Sequence, residues 1–281
     1  MDYYSQIKDY FNQKAGDYDD VDKQLYWVLS DKFFKKVLSN ELKTFFDNRE
    51  DAIILDAGAG TGRWTFILEE LFGEKIKKGL LVDISEKMLA EAKKKIIKHG
   101  LSVKYSCEER NIEKLDSLNN EFFDLAISFY NVISFVENPH KALQEISKKL
   151  KNGGIFVSIV ANKYHSYYFS ILTNRLNEMD NIREKSLIKF NDAMPAIHCF
   201  TPEEAKKLYF DNGFSEVNVF GGPNFIYPGM EETKIIGNTQ QIFNKLSDNS
   251  NFEKILSIEL ENYKNSDISG RANTLLIIAK K

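Results

Sequence analysis

From residue 52 the chain alternates short apolar runs with helix-like stretches, and this rhythm restricts the fold more than any other feature of the sequence. The apolar runs are Ala52–Asp56, Gly79–Asp83, Ser102–Ser106, Phe122–Ser128 and Ile155–Val160. Between them lie stretches of helical periodicity at Gly62–Leu71, Ser85–His99 and Pro139–Leu150. Runs this short and this apolar are buried on both faces, so the pattern predicts a parallel sheet covered by helices on either side. Two later runs, Glu216–Phe220 and Asn273–Ala279, are joined by a long connection whose residues 238–264 read as helical. They suit an antiparallel pair at one sheet edge. The expected architecture is α/β: a seven-stranded, mainly parallel sheet with helices on both faces.

The flanks follow other patterns. In residues 1–49, Tyr26, Val28, Leu29, Phe33, Val37 and Leu38 recur at helical spacing, so this part reads as a helical lid. Residues 162–199 are rich in Tyr, Asn and His, break the strand–helix rhythm and read as a helical cap insert. At Thr201-Pro202-Glu203-Glu204, Thr201 caps a helix, Pro202 takes its first position and Glu204 completes a capping box. The division expected is a lid at 1–49, a core at 50–161, a cap insert at 162–199 and completion of the core sheet at 200–281.

With 281 residues, 43% hydrophobic and 28% charged, the chain is globular and long enough for a large core. Its 38 basic and 41 acidic side chains give a net charge of −3, which excludes attachment to nucleic acid or anionic lipid by bulk charge. Cys107 and Cys199 stand far apart with no CxxC or His/Cys cluster, so neither a disulfide framework nor a metal site is expected. The start, MDYYSQIKDYF, does not resemble a signal peptide, and no apolar run approaches the ~18 residues of a membrane span. The reading is a protein of a reducing, cytoplasmic compartment.

The strongest chemical signal is Asp56-Ala57-Gly58-Ala59-Gly60-Thr61-Gly62, a loop leading from the first strand into a helix. Ligands of open α/β sheets bind at such a place. A dinucleotide fingerprint starting at Gly58 needs a third glycine where Arg63 stands, and no Gly-Lys-Ser/Thr follows to make a P-loop. Asp56 before the glycines repels a pyrophosphate but suits a ligand with an ammonium group. Asp83, ending the next strand, is placed to take both hydroxyls of a ribose, with Ile84 and Met88 as apolar surface for a base. S-adenosyl-L-methionine carries an amine, a ribose diol, an adenine and a sulfonium, and no phosphate.

These segments resemble the class I S-adenosylmethionine-dependent methyltransferases, which have a Rossmann-like fold. The glycine loop matches the family's first motif and Leu81-Val82-Asp83-Ile84-Ser85 its second. Arg110-Asn111-Ile112-Glu113-Lys114-Leu115 falls where the family often has Gly-Asp-Ala-x-x-Leu, with Asn111 for the usual Asp. Phe122–Ser128 matches the fourth strand, and Leu150-Lys151-Asn152-Gly153-Gly154 resembles the Leu-Lys-Pro-Gly-Gly closure. Phe11 to Asp19 is similar to the start of the ubiquinone/menaquinone-type and small-molecule subgroup, whose Tyr, here Tyr18, often lies over the cofactor. The resemblance covers roughly residues 52–160. It implies Tyr18, Asp56, Gly58, Gly60, Gly62, Asp83, Ile84, Met88, Asn111, Ile112 and Ser128 as cofactor-binding residues, with S-adenosyl-L-homocysteine as product.

Candidate catalytic residues are fewer. Tyr130 follows the fourth strand, where the family commonly faces the transferred methyl; the alternative is a Tyr packed on the adjacent helix. His165 and His198 in the insert are candidate general bases for a phenol or enol, or else packing and surface residues. The aromatic insert and the acidic balance favour a small, partly apolar acceptor taking the methyl on O, N or C. A tRNA base is the alternative acceptor, and a non-catalytic S-adenosylmethionine-binding protein is a third reading.

Overall fold

The computed structural model describes residues 2–226 and 244–281. Its sheet is built on β1 (Ala52–Ala57), β2 (Ile76–Asp83), β3 (Tyr105–Glu109), β4 (Phe123–Ser128) and β5 (Leu150–Asn162), all parallel, in the order β3-β2-β1-β4-β5. β6 (Leu187–Ile188) and β7 (Ile197–Phe200) follow in the insert, then β8 (Glu216–Gly222) and β9 (Thr274–Lys280). β9 runs antiparallel to β5 and β8 antiparallel to β9, the edge pair that the two late apolar runs predict.

The sheet has nine strands where the pattern predicts seven, and the two extra strands are β6 and β7. The apolar run ending at Val160 continues as strand through Ala161 and Asn162, whereas β4 pairs with β5 only as far as Ser128 opposite Ser158. That leaves an edge of β5 without a partner. β7 fills it, pairing Cys199 with Ala161 and Phe200 with Asn162, and β6 adds antiparallel to β7. The insert is therefore a mixed piece, α8 (Lys163–Leu172) and α9 (Glu178–Lys185) plus a two-stranded extension of the sheet.

Alternation along the strands makes two cores. Ile54, Leu81, Leu125, Ile127, Val157 and Leu276 face one side, which is covered by α2 (Leu25–Glu41), α4 (Arg63–Phe72) and α5 (Glu86–Lys98). Leu55, Val82, Ala126, Phe156 and Ile277 face the other, under α7 (Pro139–Lys149) and α10 (Pro202–Phe210). The helices begin where the sequence provides caps. Ser85 Oγ accepts from Met88 N at 3.2 Å and Asn138 Oδ1 from Lys141 N at 3.1 Å, and the Thr201/Glu204 capping box closes on both sides. The late helix α11 (Asn249–Asn262) packs on α2, while residues 238–243 of the expected helical stretch lie outside the described residues. No helix among the described residues is long and apolar enough to cross a membrane.

Candidate active site

The site sits at the carboxyl ends of β1, β2 and β4. Gly58 and Gly60 have φ of 87° and 53°, in the left-handed region that favours glycine. A Cβ on Gly58 would lie 2.3 Å from Val132 Cγ1, so only glycine lets the loop pass the short helix α6 (Val132–Phe135). The N–H groups of Gly58 and Ala59 donate to Val82 O at 2.8 and 2.9 Å, tying the loop to β2. Gly60 N donates to Asp83 Oδ2 and Ser85 N to Asp83 Oδ1, each at 2.8 Å.

Two acids meet at this loop. Asp56 is buried and accepts from Thr65 Oγ1 at 2.6 Å. Loss of water pushes its carboxyl up to about 7; the Thr65 hydrogen bond opposes that rise and the nearby Asp83 adds to it. Asp83 is raised by burial too, against the two backbone N–H groups that favour its charged form.

One cavity collects most of the expected cofactor residues. Asp56, Gly58, Gly60 and Asp83 form its polar floor, and Ile84, Met88 and Ile112 its apolar side, with Tyr18 and Tyr130 also on its wall. Three expected residues stand off this lining. Gly62 caps α4 with φ 77°. Asn111 Oδ1 accepts from Glu113 N at 2.9 Å, so the loop's own turn takes up the oxygen expected to accept from adenine. Ser128 is buried and its hydroxyl donates to Ala57 O at 2.8 Å, a clasp between β4 and β1.

α1 (Tyr3–Lys14) is the first helix of the expected lid, and its Tyr4, Ile7 and Phe11, not among the expected cofactor residues, lie on one helical face and line this cavity. Its i, i+3, i+7 spacing was a usable signal. α1 is held on α5 by Lys8, 3.0 Å from Glu86 and 2.6 Å from Glu109, and by Ser85 Oγ donating to Asn12 Oδ1 at 2.6 Å.

A second cavity of about 700 Å3 adjoins the first. Phe11, Tyr18, Arg63, Tyr130 and Phe135 belong to both linings and form the partition. Trp27 and Phe34 of α2, Ile159 of β5 and Phe169, Phe190 and Met194 of the insert make the second cavity largely apolar. His165 lines it, and burial lowers its pKa to about 4, so the ring is neutral at physiological pH. His198 stands off both linings, its Nε2 3.3 Å from Glu137 O, because strand alternation buries its neighbours Ile197 and Cys199 and turns the imidazole the other way.

The donor set fits S-adenosylmethionine by its chemistry. Two carboxylates with raised pKa sit beside backbone N–H groups and an apolar shelf, which suits a cationic nucleoside rather than a phosphate. Residues 48–213 match the methyltransferase-domain family model. The chain belongs to that family. It has the class I fold, and S-adenosylmethionine is its cofactor. Over 181 residues it is 30% identical to the uncharacterized protein MJ1252 of Methanocaldococcus jannaschii, covering 64% of this chain and 62% of that one. A demethylmenaquinone methyltransferase of Bacteroides fragilis is 29% identical over 153 residues, covering 54% and 58%. The chain thus spans about three fifths of the length of these two curated relatives. Among solved structures, a possible histamine N-methyltransferase of Thermotoga maritima superposes with a TM-score of 0.55 at 19% identity, covering 98% of this chain and 99% of that one. The Haloferax volcanii methyltransferase solved with its Trm112 activator gives 0.56 at 16% identity, covering 96% of each chain. These structures share the fold of the methyltransferase domain described above.

Proposed function

We propose that this methyltransferase transfers a methyl group to an oxygen, nitrogen or carbon of a small, partly apolar acceptor. The observation that carries the reading is the pair of adjoining cavities with a common wall at Tyr18, Arg63 and Tyr130. The second cavity, at about 700 Å3, is within the ~300–1,000 Å3 range of small-molecule sites, and its lining mixes aromatic and aliphatic side chains with polar ones such as Asn131, His165 and Asn273.

In this reading Asp56 faces the ammonium of the cofactor, Asp83 its ribose diol, and Ile84, Met88 and Ile112 its adenine. When bound, the cofactor supplies a methyl on a sulfonium, open to in-line displacement. The protein's share is orientation: the glycine loop and Asp83 fix one partner, and Trp27, Phe34 and Phe169 hold the other against the partition. Alignment of this kind is worth roughly 7–11 kcal/mol. α1 acts as the lid. Its Tyr4, Ile7 and Phe11 line the first cavity, so in place it shields the bound cofactor from water.

The test is to incubate the protein with methyl-labelled cofactor and, separately, with small-molecule and RNA fractions of the source cells. Label is expected in the small-molecule fraction. Ala161→Phe, which fills the second cavity, is expected to abolish transfer while cofactor affinity stays as in the wild type. Label recovered only in RNA would replace this reading by the tRNA-base alternative. Tight cofactor binding with label in neither fraction would favour a non-catalytic binding protein.

A further inference from the structure

We propose that Asp31 is the proton sink of the transfer, reached through the phenol of Tyr130, and that the acceptor therefore carries a hydroxyl, enol or amine that gives up a proton as it is methylated. This rests on the small-acceptor reading above and adds the chemical class of the group methylated and the route its proton takes.

Asp31 lies on α2 with Leu29, Ser30, Phe33 and Phe34, all buried, and is itself 8% exposed. A carboxylate in an apolar helix face needs partners, and it has two. Its Oδ2 accepts from Arg63 Nε at 2.8 Å and from a second guanidinium nitrogen, while its Oδ1 accepts the hydroxyl of Tyr130. Arg63 balances the charge of Asp31, and Asp19 stands 4.0 Å from Arg63. The phenols of Tyr18 and Tyr130 complete the group of titratable side chains around the partition.

With its proton held toward Asp31, Tyr130 keeps an oxygen lone pair, and the residue lines both cavities. The next residue, Asn131, lines the acceptor cavity, and its buried Oδ1 has no hydrogen-bond partner among the described residues. Two oxygen acceptors thus come from consecutive residues and ask for the same complement, an X–H donor. Tyr130 and Asn131 have φ of 56° and 67°, a left-handed pair of non-glycine residues. Such backbone costs about 1–3 kcal/mol per residue and clusters where side chains must be aimed. The other basic candidates serve less well. His165 lines only the second cavity and stands off the partition with the first, and His198 points to Glu137 O away from the cavity.

The step balances as follows. The lone pair of X forms the X–C bond as the C–S bond pair returns to sulfur. The proton of X passes to Tyr130 Oη, the phenolic proton passes to Asp31 Oδ1, and Asp31 becomes a neutral acid. It returns that proton to solvent when products leave. The leaving group departs uncharged, so the base needs reach more than strength.

The experiment uses the labelled small-molecule fraction from the preceding test. Asp31→Asn and Tyr130→Phe are each expected to lower kcat, measured at saturating cofactor, by about 100-fold or more, as removal of a general base does. The double variant is expected to be no slower than either single one, since the two residues act as a unit. Asp31→Glu should recover much of the rate, and at saturating cofactor, where the titration of Asp56 drops out, Asp31→Asn should lose the acid limb of the pH–kcat profile. Independently of any acceptor, ultraviolet titration should show Tyr130, and to a smaller extent Tyr18, ionising at lower pH in Asp31→Asn, with the larger of the two changes missing when Tyr130→Phe is added. Label transfer by the wild type together with an unaltered rate and pH profile in Asp31→Asn would overturn the relay and leave the small-acceptor reading standing. An unshifted tyrosine titration in Asp31→Asn would also overturn it. Absence of label from the small-molecule fraction would remove the small-acceptor reading and the relay with it.

Discussion

Cofactor binding should expel a proton from Asp56. In the ligand-free fold its carboxyl titrates at about 7 instead of 3.8, because burial and Asp83 disfavour the charge. A rise of this size corresponds to a cost on the order of 4 kcal/mol for holding the ionised form. The sign follows directly. Between pH 4 and pH 7 the folded protein binds a proton at Asp56 that the unfolded chain does not. The ligand-free protein therefore loses this contribution to stability as pH rises through that window. A ligand ammonium beside Asp56 reverses the balance, since only the carboxylate pairs with it. Below pH 7 the apparent Kd should then rise about tenfold per pH unit, with close to one proton released per cofactor bound at pH 6. The ligand's own α-amino and α-carboxyl groups do not titrate between about pH 5 and 7, so the slope belongs to the protein. Calorimetry in two buffers of different ionisation enthalpy measures the released proton. Asp56→Asn should abolish both slope and proton release, whereas Asp83→Asn should weaken binding and keep the slope. A flat pH dependence in the wild type, or a slope surviving in Asp56→Asn, would refute the assignment of Asp56 to the ammonium.

Other outcomes follow from single contacts. Gly58→Ala drives a Cβ to 2.3 Å from Val132 Cγ1 at φ 87° and should cost about 2–3 kcal/mol in thermal melts; adding Val132→Ala should relieve part of the clash, since Val132 Cβ stays 2.9 Å away, and none of the backbone strain. His165 is neutral in the fold down to a pKa of about 4, whereas the unfolded chain binds a proton from about 6.5 downward. Stability should therefore fall by up to roughly 3 kcal/mol as pH drops through this window, and urea titrations of His165→Gln should lack that loss. Tyr209→Phe leaves the Ser158 hydroxyl buried without its partner and should cost about 1–3 kcal/mol in urea, with cofactor affinity unchanged.

The elements legible in the sequence are those whose signals are local. The strand ends at Asp56, Asp83 and Ser128, the cap at Ser85 and the capping box at Thr201 need only neighbouring residues, and each falls where the pattern puts it within a few positions. β6 and β7 were illegible for a physical reason: two- and four-residue strands have no periodicity of their own and exist because β5 outruns β4. Asn111 and Ser128 illustrate a second limit. Both stand at motif positions, but the oxygen of one closes its own turn and the hydroxyl of the other clasps a neighbouring strand. Asp31 was not singled out in the sequence, although an acid in an apolar helix face asks for a buried partner. Naming Arg63 and Tyr130 as those partners required the fold, because they come from a different helix and a different strand end.

The two cavities draw on different parts of the chain, and this separates what family membership can say from what it cannot. Apart from Tyr4, Ile7, Phe11 and Tyr18, the cofactor cavity is lined from within residues 48–213, the stretch shared with the methyltransferase-domain family. The acceptor cavity takes much of its wall from outside that stretch. Tyr10, Phe11, Tyr18, Trp27 and Phe34 come from the N-terminal helices, and Asn273 and Thr274 from the entry to β9. Asp31 also precedes the shared stretch, while Tyr130 and Arg63, which it holds, lie within it. The partition between the cavities is thus where residues inside the family match meet residues that precede or follow it. Changes in the N-terminal helices can reshape the acceptor side and its proton path while Asp56, Asp83 and the glycine loop keep their geometry. Under the small-acceptor proposal, α1, α2 and the entry to β9, together with Phe169, Phe190 and Met194 of the insert, decide which acceptor fits.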